Sequence, residues 1–223
     1  MKTVAIIKSG FPTKFGIPRQ SNLIDGLSSQ IIFEPEFRNP DAIRGLDGFS
    51  HIWLIWEFNQ SKENSSLTVR PPRLGGNTRM GVFATRSPYR PNPIGLSCVK
   101  IERIENSSIL GPVIHVSGAD LADGTPILDI KPYLPHTDCI PFATGGFSEN
   151  VKDYSLNVNI PENISSDFSN DFIKVLSKIL AQDPRPSYQN DPERIYGFLY
   201  DGKEIKFKVN KNNLTVTSIE SIE

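Results

Sequence analysis

Seven short apolar runs, each closed by a polar or Gly/Pro turn, follow one another from Thr3 to Lys131 with no helical repeat between them. They are TVAIIK (3–8), SQIIFE (29–34), FSHIWLIWEF (49–58), MGVFATR (80–86), IGLSCVKIERI (94–104), ILGPVIHVSG (109–118) and TPILDIK (125–131). Runs of this kind, rich in β-branched and aromatic residues, point to a barrel or sandwich of antiparallel strands. A doubly wound parallel sheet is excluded, because it needs a helix between successive strands. The 18 prolines and 16 glycines agree with many turns and short elements. One helical turn intrudes, where Asn39 can cap a turn opened by Pro40 and running through DAIRGL.

After Pro141 the pattern changes. A strand-like YSLNVNI (154–160) leads to SSDFSNDFIKVLSKIL, in which Phe168, Phe172, Val175, Leu176, Ile179 and Leu180 recur at helical spacing. Ser166 is the expected N-cap, with Asp167 in the first turn, and Pro184 should stop the helix at about Asp183. IYGFLY and KEIKFKV then flank Asp201-Gly202, a type I′ hairpin signal, and LTVTSI adds a strand. The expected architecture is mainly β: an antiparallel barrel over 1–149 and a small α+β domain over 150–223. The alternation in KEIKFKVNK fits either a solvated lysine face or a hairpin facing phosphates.

Charge is distributed unevenly. Between Asn64 and Ile101 there is no Asp or Glu, whereas Arg70, Arg73, Arg79, Arg86, Arg90 and Lys100 give +6 in a chain whose net charge is −1. An anionic partner is the natural reading, a stiff loop of solvated arginines the plainer one. RLGGNTRMG (73–81) is not a dinucleotide fingerprint, and no phosphate-binding P-loop occurs. What the segment offers is Ala84-Thr85-Arg86 followed by SPYRPNPIG, whose three prolines fix the backbone before any ligand arrives. A second concentration, SGADLADGTPILDIKPYLPHTD (117–138), carries Asp120, Asp123, Asp129 and Asp138. Asp123 suits the Asx position of a turn. Together with the basic segment it also suits a site that handles both signs of charge, as a zwitterionic cofactor with a cationic centre requires.

Other features are plainer. Cys98 and Cys139 sit in no CxxC or zinc-ligand spacing, so reduced thiols and a cytoplasmic location are expected. His51, His115 and His136 have no partner at ligand spacing, and no metal is expected. Trp53 and Trp56 read as core rather than as a base-stacking platform. HIWLIWEF is far below a membrane-spanning length, and the apolar run before Lys8 is too short for a signal segment.

IPRQ (17–20), RPPRLGGNTRMGVFATRSPYRPNPIGLS (70–97) and DLADGTPILDIKPYLP (120–135) together resemble the TrmO family, also called YaeB or TsaA-like. LAQDPRPSY (180–188) resembles the C-terminal domain of its full-length bacterial members, so the likeness spans nearly the whole chain. The resemblance implies a TsaA-like barrel, S-adenosylmethionine as cofactor, and a homodimer with the cofactor near the subunit interface. The implied reaction is methyl transfer to N6 of N6-threonylcarbamoyladenosine beside the anticodon of a threonine tRNA. Matched by motif, the cofactor contacts are Pro18, Arg19 and Gln20; Asn59 and Gln60; Arg86; Leu96; and Leu121, Ala122, Asp123 and Gly124. Asn59 stands where the family has histidine, and both side chains form hydrogen bonds.

Within that picture Arg86 or Arg19 meets the cofactor's carboxylate and Asp123 accepts from its ribose or amino group. Arg70, Arg73, Arg79 and Arg90 suit tRNA phosphates. A general base is expected among Asp120, Asp123 and Tyr133, because the acceptor nitrogen bears a carbonyl substituent and is a poor nucleophile until it loses its proton. Two other readings stand beside this one: a structured-RNA-binding barrel without chemistry, and an S-adenosylmethionine-dependent methyltransferase of another acceptor.

Overall fold

The computed structural model describes residues 1–60, 66–71, 74, 77–185, 189 and 191–222. Its strands are β1 (Ala5–Ser9), β2 (Ser28–Phe33), β3 (His51–Glu57), β4 (Thr68–Val69), β5 (Met80–Gly81), β6 (Ile94–Ser107), β7 (Gly111–Ser117) and β8 (Pro126–Pro132). Then come α1 (Pro135–Asp138), β9 (Asn157–Asn159), α2 (Glu162–Ser165), α3 (Asn170–Ala181), β10 (Tyr196–Tyr200), β11 (Lys203–Asn210) and β12 (Asn213–Ser221). Six strands close an antiparallel barrel in the order β1-β2-β7-β6-β3-β8, with β8 pairing back onto β1. The period-2 pattern of β3 explains its seat: Ile52, Leu54 and Trp56 point inward, against Ile7, Ile31, Val99, Ile114 and Ile127.

Because neighbouring strands alternate in direction, the connections β1–β2, β3–β6 and β7–β8 all leave from the same end of the barrel. The short turn between β6 and β7 and the chain leaving β8 lie at the other end. This topology decides which sequence motifs can meet.

The expected strand MGVFATR ends at Gly81 instead. Its partner β4 offers only two residues, so pairing stops, and Val82–Ala84 turn into a 3-10 helix whose Val82 carbonyl accepts from the Thr85 amide and hydroxyl. The turn after Asn39 is 3-10 over Pro40–Ile43, with the Asn39 side chain accepting from the Asp41 amide at 3.0 Å.

In the C-terminal region β10-β11-β12-β9 form one sheet, with β9 parallel to β12, and α3 packs on it. The helix begins later than its sequence suggests. Ser169 is the cap, accepting from the Phe172 amide at 3.3 Å, while Ser166 ends the short α2. Asp201 and Gly202 have φ of 50° and 70°, which is the type I′ geometry expected there. On β11, Ile205, Phe207 and Val209 are buried, while Lys206 pairs with Glu204 and Glu220 and Lys208 with Glu193. That strand is amphipathic, and the ion pairs of Lys206 and Lys208 favour the solvated-lysine reading, while Lys203 donates to the Asp201 carbonyl.

The core of this second unit is not made by residues after 150 alone. Phe11, Ile24 and Leu27, all from the β1–β2 connection, are essentially inaccessible and pack with Leu156, Leu176, Leu180, Phe198 and Phe207. Burial of each such side chain contributes about 1.5–3 kcal/mol. The segment 10–27 is thus anchored in the C-terminal core, with the Asp201 amide bonded to the Gly10 carbonyl at 2.8 Å.

Candidate cofactor cavity and its basic rim

A cavity of about 510 Å³ opens at the end of the barrel from which the three connections leave, within the usual range for small-molecule sites. The β1–β2 connection supplies Ile17, Pro18, Arg19 and Gln20. The end of β3 and the β3–β6 connection supply Trp56, Phe58, Asn59, Gln60, Thr85, Arg86, Tyr89 and Arg90, and β6 adds Ile94, Gly95 and Leu96. Asp120, Leu121, Ala122 and Thr125 come from the β7–β8 connection. Of the eleven cofactor contacts expected from the sequence, nine therefore line one space, and Asp123 and Gly124 do not.

Asp123 is turned away because β1 claims it. Its amide donates to the Phe11 carbonyl at 2.7 Å, while its carboxylate accepts from the Ser9 amide at 3.0 Å and faces Lys8 at 3.4 Å. The carboxylate lies in a separate shallow concavity lined by Lys8, Ser9, Gln30, Arg103 and His115. Gly124 donates its amide to the Ile7 carbonyl at 2.9 Å and serves the same turn. Tyr133 stands at the opposite end of the barrel. It leaves β8, donates its amide to the His51 carbonyl and stacks near Trp53, whose indole N–H donates to Asp138. Of the three general-base candidates, only Asp120 reaches the cavity.

Asp120 ends a buried relay. The Trp56 indole N–H donates to Ser97 Oγ at 2.9 Å, and the Ser97 hydroxyl donates to Asp120 Oδ1 at 2.5 Å. Burial raises the Asp120 carboxyl above its ordinary range, against the opposing pull of the Ser97 hydroxyl, its own and the Ser21 amides, and the Arg86 charge. Ser97 escapes a motif search, although a serine at an inward β6 position opposite β3 signals a buried polar partner. Gly95 makes the relay possible. It pairs with Trp56 across β3 and β6, and a Cβ there would lie 2.2 Å from the indole Cε2. Gly95→Ala should displace the ring and lower stability by about 1–3 kcal/mol, as overpacked cores do, measurable by chemical denaturation.

The cations sort by partner. Arg86 donates to the Gln20 side-chain oxygen across the cavity mouth, joining the first and second connections. Arg19 donates to the Asp183 carbonyl at 3.3 Å, joining the first connection to the end of α3. Arg90, expected to face phosphates, is instead a part-buried strut whose Nη1 donates to the Thr85 carbonyl at 2.7 Å and the Val82 carbonyl at 3.3 Å. Arg70 and Arg79 are exposed, Arg79 donating to Thr68 Oγ1, and Arg73 lies outside the described residues. None of Arg70, Arg79, Arg86 and Arg90 forms an ion pair among the described residues. Among the same residues no group of three or more His, Cys, Asp or Glu is placed to hold a metal, both cysteines are free, and no helix is long and apolar enough to cross a membrane.

A closed antiparallel barrel whose one end gathers apolar walls, a half-buried carboxylate and several arginines defines a small-molecule-binding barrel with a basic rim. Comparison with known proteins gives that class its family. The model of the tRNA-methyltransferase O N-terminal domain matches residues 6–139, that of the TrmO C-terminal domain matches 155–222, and the chain belongs to this family. The tRNA (adenine(37)-N6)-methyltransferase of Escherichia coli K12 is 34% identical over 97% of this chain and 96% of its own. An S-adenosyl-L-methionine-binding protein of Archaeoglobus fulgidus is 35% identical over 63% of this chain and 93% of its own. The crystal structure of TrmO from P. aeruginosa superposes with a TM-score of 0.80 at 30% identity, covering 98% of this chain and 95% of that one.

Proposed function

We propose that this chain is an S-adenosylmethionine-dependent tRNA methyltransferase acting on N6 of adenosine 37, with N6-threonylcarbamoyladenosine in threonine tRNA as its acceptor. The observation that carries the reading is the meeting, in one cavity, of Arg86 and Gln20 with the apolar Ile17, Leu96 and Leu121 and the half-buried Asp120. These residues fit the cofactor's chemistry: flat apolar walls for the adenine, a guanidinium for the carboxylate, and an acidic group near a cationic centre. Membership of the family, and the activities for which its members are named, support the same assignment.

When bound, S-adenosylmethionine supplies a methyl group on a sulfonium, ready for in-line displacement. The chain's own part is to position and to move one proton. The three connections hold donor and acceptor in line, which supplies much of the rate of such a step. Asp120 is the group that would take the N6 proton as the methyl group passed from the sulfonium to that nitrogen, ending as a protonated carboxyl. Its raised proton affinity suits that role. Ser97, itself fixed by Trp56, orients the carboxylate.

Arg70 and Arg79, exposed and without an acidic partner among the described residues, are offered to the anticodon arm, while Arg86 serves the cofactor. A cytoplasmic homodimer completes the reading, with the exposed apolar Ile140 and Phe142 beyond β8 as support for a partner copy.

Removal of Arg86 tests the cofactor half of this proposal. Loss of a charged hydrogen bond is worth about 1.5–3 kcal/mol, so Arg86→Ala should weaken S-adenosylmethionine roughly 10- to 150-fold in calorimetry and abolish most of its thermal stabilisation. An unchanged affinity would move the cofactor out of this cavity. For the RNA half, the affinity of wild type for threonine tRNA should fall steeply with salt, and the slope should lessen in Arg79→Ala.

A further inference from the structure

Phe83 is 77% exposed, yet it sits on a turn held by several hydrogen bonds. Its neighbour Val82 is buried, with its amide bonded to the Leu67 carbonyl at 3.0 Å and its carbonyl accepting from Thr85 and Arg90. The Arg90 guanidinium that braces the turn also lies 5.9 Å from the Phe83 ring centroid, so the ring has a cation behind it. Arg90, which lies against the Phe83 ring, and the half-exposed Tyr89 line the cavity, so the ring stands beside a residue of the cavity wall. Arg70 and Arg79, in the same stretch of sequence, are exposed and form no ion pair among the described residues, and that stretch has no Asp or Glu. A flat apolar ring on a hydrogen-bonded turn, with the Arg90 guanidinium over it and further exposed arginines in the same acid-free stretch, matches an unpaired nucleotide: phosphates for the arginines and a base face for the ring.

We propose that Phe83 is a stacking platform for an unpaired base beside the target adenosine, so that it positions the anticodon loop while the target itself enters the cavity. The proposal rests on the tRNA methyltransferase reading. It assigns the rim a role in substrate placement that cofactor binding does not share. Stacking on an aromatic side chain, judged by alanine substitution, changes affinity by roughly 5- to 150-fold per base.

The test uses the full chain with an anticodon stem-loop carrying N6-threonylcarbamoyladenosine, under saturating S-adenosylmethionine. Phe83→Ala should lower kcat/KM for the stem-loop by a factor in that range, Phe83→Leu should be nearly as poor although apolar, and Phe83→Trp should restore it. S-adenosylmethionine affinity should stay at the wild-type value in all three. An abasic nucleotide next to the target should reduce wild type to the level of Phe83→Ala and leave that variant unaffected. Equal activity of wild type, Ala and Leu variants overturns the proposal while leaving the enzyme reading intact, as does a loss that disappears at high protein concentration, which would mark Phe83 as a contact between copies. Wild type inactive on this substrate overturns the enzyme reading itself.

Discussion

Asp120→Asn is expected to lower kcat for methylation of threonine tRNA roughly 100- to 10,000-fold, the usual weight of a general base. It should leave the binding of tRNA near wild type and weaken S-adenosylmethionine only by the loss of the charge beside its sulfonium. The amide keeps the shape and still accepts from Ser97, so the loss isolates the proton transfer from the positioning of the carboxylate. The pH dependence follows from the direction of the shift. Burial holds the Asp120 carboxyl above the ordinary carboxylate range, so wild-type kcat should rise with pH through a pKa above that range, and the limb should vanish in the variant.

Stability should move the other way. A carboxyl whose proton affinity is higher folded than unfolded favours folding below its unfolded pKa, and that contribution is lost as pH rises through the folded one. Wild type therefore carries a burden at neutral pH that the neutral amide does not. Asp120→Asn should unfold at an equal or higher temperature at pH 7 while being nearly inactive. A variant that loses activity and stability together would make Asp120 a structural residue.

The second large effect is expected far from the chemistry. Gly16 precedes Ile17-Pro18-Arg19-Gln20, has φ of +82°, and a Cβ there would stand 2.2 Å from Cδ2 of Phe198 on β10. Gly16→Ala combines the strain of a left-handed backbone with an overpacked contact, together roughly 2–5 kcal/mol. The chain can escape that strain by lifting the β1–β2 connection from the C-terminal core, which would carry Pro18, Arg19 and Gln20 out of the cavity. Weakened S-adenosylmethionine binding is therefore expected alongside a lower unfolding temperature. Phe198→Leu in the same chain should restore part of both, since it relieves the collision but not the backbone strain. If Gly16→Ala binds the cofactor as wild type does, the C-terminal unit plays no part in shaping the cavity.

The barrel was legible because its strands have few alternatives: alternating apolar runs such as HIWLIWE bury one face and close on one another. The candidate site was signalled by motifs, while its geometry was not. IPRQ, ATRS and LADG lie far apart in the chain, and only the alternation of strand direction around a closed barrel shows that all three leave from one end. That same alternation removes Tyr133 to the opposite end. Asp123 looked as suitable as Asp120 because a turn and a binding loop use the same residues. The pairing of the turn with β1 decides between them, and it is a contact 114 residues distant in sequence. The split at residue 149 also hid something: hydrophobic periodicity places Phe11, Ile24 and Leu27 in no strand or helix, although they complete the core of the second unit.

The central claim, that the cofactor is held among the three connections at one end of the barrel, is tested most directly by hydrogen exchange of the full chain with and without S-adenosylmethionine. Protection is predicted in peptides covering 17–20, 56–60, 85–96 and 120–125, with none at 133–142. Protection centred on 133–142, or an unchanged pattern over 17–20 and 120–125 under saturating ligand, would contradict it.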